Sequence, residues 1–80
     1  MMWEATVVEA EFGEGGRLTV SSFTWRGRRL RVESHGRQWE EAGRRHCLVM
    51  AGRGQVYELR FTPAEGGWQA RPAAERPVAV

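Results

Sequence analysis

Apolar and polar residues alternate with a period of two along most of the chain, a pattern typical of antiparallel β-strands. Helical spacing of apolar residues is rare. In the first such stretch, residues 5–12, one face receives Thr6, Val8, Ala10 and Phe12. The Gly-rich residues 13–16 then predict a turn.

The second strand changes phase part-way along its length. Its apolar residues are Leu18 and Val20 at even positions, then Phe23 and Trp25 at odd positions. One extra residue must therefore be absorbed at residues 21–22, and a β-bulge is the simplest way to do so. Because bulges bend sheets, this phase change favours a strongly curved sheet or a small barrel.

Two hairpins follow from the turn residues. A two-residue loop at Arg26 and Gly27 predicts the cross-strand pairs Trp25–Arg28, Phe23–Leu30 and Ser21–Val32. A similar loop at Arg53 and Gly54 predicts the pairs Met50–Tyr57, Leu48–Leu59 and His46–Phe61. A third reversal at residues 62–67 would return Trp68 opposite Phe61 and Ala70 opposite Leu59.

These elements predict an all-β fold of about six antiparallel strands in a meander, forming a small barrel or strongly curved sheet. An open sheet completed by dimerisation is the alternative, since uncovered edge strands are a hazard. One short helical turn is predicted near residues 37–42, with Trp39 covering the sheet. We expect a single domain at residues 1–72 and a frayed tail at residues 73–80, because the last ten residues, 71–80, contain two of the three prolines.

Composition narrows the class of protein. A chain of 80 residues forms one small domain, and the four tryptophans and 41% hydrophobic residues are enough for one core. All 12 basic residues are Arg, which fits a GC-rich genome and, with the absence of Asn, a warm environment. A single cysteine, Cys47, and the absence of a signal peptide or membrane-length apolar run predict a bacterial or archaeal cytoplasmic protein.

Charge is unevenly distributed along the chain. Residues 1–16 carry four Glu and no Arg, whereas residues 17–45 carry eight Arg against three Glu, a net +5. Four arginines of the first hairpin, Arg26, Arg28, Arg29 and Arg31, are candidates for nucleic-acid binding through phosphate contacts. The alternative is a solvated hairpin whose Arg stems cover apolar neighbours.

Catalytic and metal-binding patterns are missing from the sequence. His46 and Cys47 are adjacent, so in a strand they point to opposite faces and cannot chelate one metal ion. Cys47 is therefore interpreted as a small core residue. No nucleophile elbow or phosphate-binding Gly-rich loop is present. We expect no catalytic residues, no metal, no cofactor and no small-molecule substrate, and hence a protein that is not an enzyme.

Several motifs together suggest a family. The segments FTWRGRRLRV and RRHCLVMAGRGQVYELRF, with Trp39 between them and GGWQA after them, resemble small, mostly uncharacterised bacterial β-domains. A similar domain is appended to the C-terminus of ImuB-type proteins, which are inactive relatives of Y-family DNA polymerases. The resemblance covers roughly residues 18–71, although Leu30 stands where such domains often have an aromatic residue. It implies an accessory or adaptor role near DNA repair.

Four tryptophans are many for so small a core, and Trp3 and Trp39 are the candidates to remain at the surface as interface residues. We therefore expect a non-enzymatic binding module that acts through protein contacts, by self-association or with a larger partner. The alternative is a nucleic-acid-binding β-barrel that uses the basic hairpin at residues 26–31. No membrane partner is expected.

Overall fold

The computed structural model describes residues 2–73, and over this range the protein is all-β, as predicted. Seven antiparallel strands are present: β1 (Glu4–Thr6), β2 (Val8–Phe12), β3 (Leu18–Trp25), β4 (Arg28–Glu41), β5 (Arg44–Ala51), β6 (Gln55–Thr62) and β7 (Gly67–Pro72). A 3₁₀ turn at Glu14–Gly16 connects β2 to β3. The count exceeds the predicted six because the first predicted strand divides at Val7.

The sheet curls into a half-barrel with the strand order β1-β7-β6-β5-β4-β3-β2. From β2 to β7 each strand pairs with the next in the chain, which confirms the predicted meander. The two edge strands, β1 and β2, are successive parts of the N-terminal segment. Between them, the Val7 carbonyl accepts a 3.0 Å hydrogen bond from the Thr24 N–H. One segment of chain therefore contacts both ends of the sheet.

The predicted β-bulge is present in β3. Glu9 pairs with Ser22 and the next residue, Ala10, pairs with Val20, so Ser21 is the extra residue. This insertion lets β3 bury residues of both phases, because Val20 before it and Phe23 after it are each only 1% exposed.

The first hairpin has the predicted register next to its turn, but the predicted pair Ser21–Val32 is absent, because the ladder ends at Ser22 and Arg31. Arg26 and Gly27 both have positive φ, 51° and 82°, as a two-residue type I′ turn requires. Trp25 then pairs with Arg28, and Phe23 pairs with Leu30. The turn residues were sufficient to predict this register.

The predicted register of the second hairpin is wrong by one residue. Its loop has three residues, 52–54, so Cys47 pairs with Leu59 and Val49 pairs with Tyr57. A shift of one residue moves every side chain to the other face of the sheet. Cys47, Val49 and Ala51 therefore belong to the core, whereas His46, Leu48 and Met50 lie on the outer face.

The helical turn predicted near residues 37–42 is also wrong, because β4 continues as a strand to Glu41 and turns at Ala42 and Gly43. The pairing of β4 with β5 shifts register twice, between Val32 and Ser34 and between His35 and Gln38. These irregularities interrupt the period-two alternation of apolar and polar residues, so the sequence of this part of β4 lacks the pattern that predicts a strand.

Side chains of β4 complete the hydrogen bonding where β3 and β4 diverge. Gln38 accepts a 3.2 Å bond from the Leu18 N–H and donates a 2.6 Å bond to the Leu18 carbonyl. The His35 Nε2 accepts a 2.9 Å bond from the Val20 N–H. Backbone groups of the bent β3 are thus satisfied without a strand partner.

The core lies inside the curl and, within the described residues 2–73, contains nine buried hydrophobic residues: Leu18, Val20, Phe23, Cys47, Val49, Ala51, Tyr57, Leu59 and Ala70. The prediction that Cys47 is a core residue is confirmed. The predicted pairs of Trp68 with Phe61 and of Ala70 with Leu59 are also confirmed. Of the predicted tail, Ala73 donates a 2.9 Å hydrogen bond to the Val56 carbonyl, and residues 74–80 lie outside the described range.

Candidate binding site on the outer face of the sheet

Two of the four candidate hairpin arginines are paired with glutamates of the N-terminal segment. Arg26 donates three hydrogen bonds of 2.7–3.2 Å to the Glu4 carboxylate. Arg29 donates a 2.5 Å bond to Glu9, which also accepts a 2.8 Å bond from the Ser22 hydroxyl. The hydrogen bond from Arg26 lowers the pKa of Glu4. The hydrogen bond from the Ser22 hydroxyl and the positive charge of Arg29 lower the pKa of Glu9.

The other two hairpin arginines lie on opposite faces of β4. Arg28 lines a cavity with Trp25, whereas Arg31 lines a separate cavity with Ser21. Among residues 2–73 neither forms an ion pair. The hairpin therefore does not present its four arginines as one surface, because alternate strand residues point to opposite sides.

The two predicted interface tryptophans, Trp3 and Trp39, meet on the outer face of the sheet. Trp39 stacks on His46 with a centroid distance of 5.1 Å and an interplanar angle of 11°. Trp3 contacts the same imidazole edge-on, at 6.1 Å and 66°. We call this site the tryptophan cluster and define it by Trp3, Arg37, Trp39, His46, Glu58, Arg60 and Arg71.

Sheet register explains why these residues converge. Trp39 on β4 pairs with His46 on β5, and His46 pairs with Arg60 on β6. Directly opposed residues share a face of the sheet, so all three point outward. Trp3 precedes β1, which pairs with β7 and brings the Trp3 ring over the same surface.

A buried polar network holds the cluster in place. His46 is 7% exposed and Glu58 is 8% exposed, and the His46 Nδ1 lies 2.9 Å from one Glu58 carboxylate oxygen. Arg71 donates two hydrogen bonds, of 3.1 and 3.0 Å, to the other oxygen. Within residues 2–73 no buried side-chain nitrogen or oxygen lacks a partner. The imidazole orientation, and with it the Trp39 stack, is therefore fixed by hydrogen bonds.

Guanidinium groups lie over both tryptophan rings. The Arg37 guanidinium is 4.6 Å from the Trp39 ring centroid, and those of Arg60 and Arg71 are 4.1 and 4.3 Å from the Trp3 centroid. Such cation–π contacts stabilise the layered arrangement. Burial, followed by the charges of Arg44 and Arg71, lowers the pKa of Arg60.

A shallow apolar groove borders the cluster. It has a volume of about 190 Å³ and is lined by Ser34, His35, Gly36, Leu48, Val49, Met50 and Val56. No glutamate lines this groove, so Ser34 and His35 have no carboxylate partner there to form a catalytic set. The groove is suited to receive an apolar side chain beside the aromatic surface.

Sequence reasoning missed His46, Glu58 and the three arginines as parts of this site. The predicted register placed His46 opposite Phe61, whereas the three-residue Gly-Arg-Gly loop places it opposite Arg60. The arginines contact the rings from three different strands, and no local pattern in the sequence brings them together.

Within residues 2–73 no group of three or more His, Cys or Glu side chains is positioned to hold a metal ion. The same range contains no helix of the length and apolarity needed to cross a membrane. The chain matches no family model, and neither a curated protein nor a solved structure is similar to it.

Proposed function

We propose that this chain is a non-enzymatic binding module that docks onto a partner protein through the tryptophan cluster. The observation that supports it is the layered packing of Trp3 and Trp39 around the buried His46, with arginines over both rings. Trp and Arg are the residue types that contribute most to binding energy at protein interfaces.

Preorganisation supports the same proposal. The ring positions are fixed by the His46–Glu58–Arg71 hydrogen bonds, so little side-chain freedom is lost when a partner binds. The neighbouring groove provides apolar surface, including Met50, which is 36% exposed. A surface with aromatic, apolar and cationic parts fits a protein segment that carries an acidic and an apolar side chain.

The partner is a second copy of this chain or a larger protein. Self-association would agree with the open sheet completed by dimerisation, which stays a prediction. The resemblance to ImuB-associated domains supports an adaptor role near DNA repair. A cytoplasmic location is part of this proposal, since Cys47 is a buried free thiol.

The test compares Trp39→Ala with Phe12→Ala as a matched control, because Phe12 is a 54% exposed aromatic residue outside the cluster. Light scattering measures self-association, and affinity capture from the native lysate measures binding to a larger partner. We expect the complex to be lost with Trp39→Ala and retained with Phe12→Ala. A strictly monomeric wild-type protein that captures no partner would contradict the proposal.

A second candidate function is nucleic-acid binding, favoured by the unpaired guanidiniums of Arg28 and Arg31 within residues 2–73. Fluorescence anisotropy with single- and double-stranded oligonucleotides at two salt concentrations tests it. Binding through phosphates weakens steeply with salt. We expect Arg28→Glu combined with Arg31→Glu to abolish binding, whereas Arg17→Glu, in the exposed loop before β3, should have a small effect.

A further inference from the structure

A second cavity lies apart from the tryptophan cluster, at the mouth of the half-barrel. It is located between the tip of the β3–β4 hairpin and the tip of the β5–β6 hairpin. It has a volume of about 420 Å³ and is lined by Trp25, Arg28, Leu30, Gly52, Arg53 and Tyr57. Small-molecule sites typically occupy roughly 300–1,000 Å³ and often lie at the mouths of β-barrels. None of its lining residues belongs to the tryptophan cluster.

Aromatic side chains form the wall of this cavity. Trp25 packs edge-on against Tyr57 at 5.4 Å, and Tyr57 packs edge-on against the fully buried Phe23 at 5.1 Å. Tyr57 is 7% exposed and is therefore held by the core. The Trp25 ring is only partly buried, and the Arg26 guanidinium lies 4.8 Å from its centroid over one face, so a planar ligand ring would pack on the other face.

Two guanidiniums at the cavity have no anionic partner within residues 2–73. Arg28 and Arg53 form no ion pair in this range, whereas the neighbouring Arg26 is neutralised by Glu4. The nearby Glu33 carboxylate is occupied by the backbone N–H groups of Arg53, at 2.9 Å, and Gly54, at 3.2 Å. The cavity lining therefore carries two guanidiniums and no carboxylate, and the Glu33 charge lies beside it.

The loop that carries Arg53 holds it in an uncommon conformation. Gly52, Arg53 and Gly54 have φ values of 62°, 68° and 83°, a left-handed run that favours glycine. A glycine at position 53 would fit this backbone better than arginine does. The arginine side chain is thus placed at the cavity despite a backbone cost, which agrees with a binding role.

We propose that this cavity binds a nucleotide unit, with the phosphate held by Arg28 and Arg53 and the base packed against Trp25. Arg binds phosphate through paired charge-assisted hydrogen bonds, and bases stack on aromatic side chains. The two guanidiniums disfavour a purely aliphatic ligand or a cation. The inference rests on the second candidate function, and the ligand is either a free mononucleotide or one nucleotide of a single strand.

The experiment uses AMP, inorganic phosphate and a fluorescein-labelled single-stranded deoxythymidine oligonucleotide as probes. Calorimetry measures the first two, and anisotropy at two salt concentrations measures the third. The variants are Arg53→Gly, whose backbone suits glycine, and Arg28→Gln, with Arg17→Gln as the matched control. Thermal unfolding verifies that each variant is folded.

We expect each cavity variant to weaken binding about ten- to a hundredfold, with Arg17→Gln within about twofold of wild type. If the protein binds AMP and the cavity variants weaken that binding, the ligand is a free nucleotide. If it binds only the oligonucleotide and the variants weaken that binding, the ligand is one nucleotide of a single strand. Equal affinity for AMP and inorganic phosphate would overturn the role of Trp25.

Oligonucleotide binding that is unchanged in Arg53→Gly and Arg28→Gln would overturn the inference, and the second candidate function would then depend on Arg31 without Arg28. Binding of none of the three probes would overturn both. Neither result would affect the proposed docking through the tryptophan cluster, because the two sites share no residues.

Discussion

Substitution of Glu58 by glutamine tests whether the buried network organises the outer face. Glu58 is 8% exposed and receives hydrogen bonds from Arg71 and from the His46 ring. Glutamine preserves the shape of the side chain but removes its negative charge. The carbonyl oxygen can accept from only one of the two partners, and the amide group replaces the second acceptor.

The expected loss follows from the contacts. A hydrogen bond to a charged group contributes about 1.5–3 kcal/mol, and Glu58 makes such bonds to Arg71. Because the Arg71 side chain is 37% exposed, water replaces part of what it loses. We therefore expect Glu58→Gln to lower the free energy of unfolding by about 2 kcal/mol. For a domain of this size, this corresponds to a fall in Tm of roughly 8–16 °C.

Urea unfolding followed by tryptophan fluorescence is a suitable assay, since Trp3 and Trp39 both contact the His46 ring. The matched control is Glu65→Gln in the exposed β6–β7 turn, which should change stability by less than about 0.5 kcal/mol. If Glu58→Gln behaves like Glu65→Gln, the network does not hold the cluster and the preorganisation argument is refuted.

Three further predictions concern the turns and the core. Ala42→Asn should stabilise the protein by roughly 0.5–1 kcal/mol, because Ala42 has a φ of 53° that asparagine tolerates better; an unchanged or lower Tm would contradict this. Leu59→Ala, at a fully buried position, should cost about 2–5 kcal/mol in urea unfolding, against less than about 0.5 kcal/mol for the 72% exposed Val7→Ala; similar losses at both positions would refute the placement of the core. Burial raises the pKa of the Cys47 thiol from 9.0 to about 11, so stability should be unaffected below pH 9 and fall by about 2–3 kcal/mol as pH rises from 9 to 11. The Cys47→Ala variant should lack this loss of stability at alkaline pH. An identical alkaline loss in the wild-type protein and the variant would disprove the assignment to Cys47.

The two long hairpins show where local signals suffice and where they fail. The Arg26–Gly27 turn takes the two-residue type I′ form, and its register was predicted correctly from that assumption. The same assumption failed at Gly52–Gly54, where three successive residues adopt positive φ. Loop length decides which face each strand residue occupies, and both lengths are compatible with a Gly-containing loop sequence.

The error had a direct effect on the site. With the wrong register His46 was paired with Phe61 and Leu48 with Leu59, and the contacts of His46 with Trp39 and Glu58 were not predicted. Trp3 and Trp39, the two tryptophans selected as interface residues, are not among the residues that pack against the main core. Their selection needed only the size of the domain, whereas their proximity needed the pairing of β1 with β7 and of β4 with β5.

The sequence by itself determined the all-β class, the meander, the bulge at Ser21 and the buried Cys47, because period-two alternation and turn residues act over a few neighbouring positions. Only the tertiary structure decided that the N-terminal segment contacts both ends of the sheet, and that Glu4 and Glu9 neutralise Arg26 and Arg29. Contacts between distant residues depend on how strongly the sheet curls, and that curl arises from the combined effect of twist and bulges along every strand.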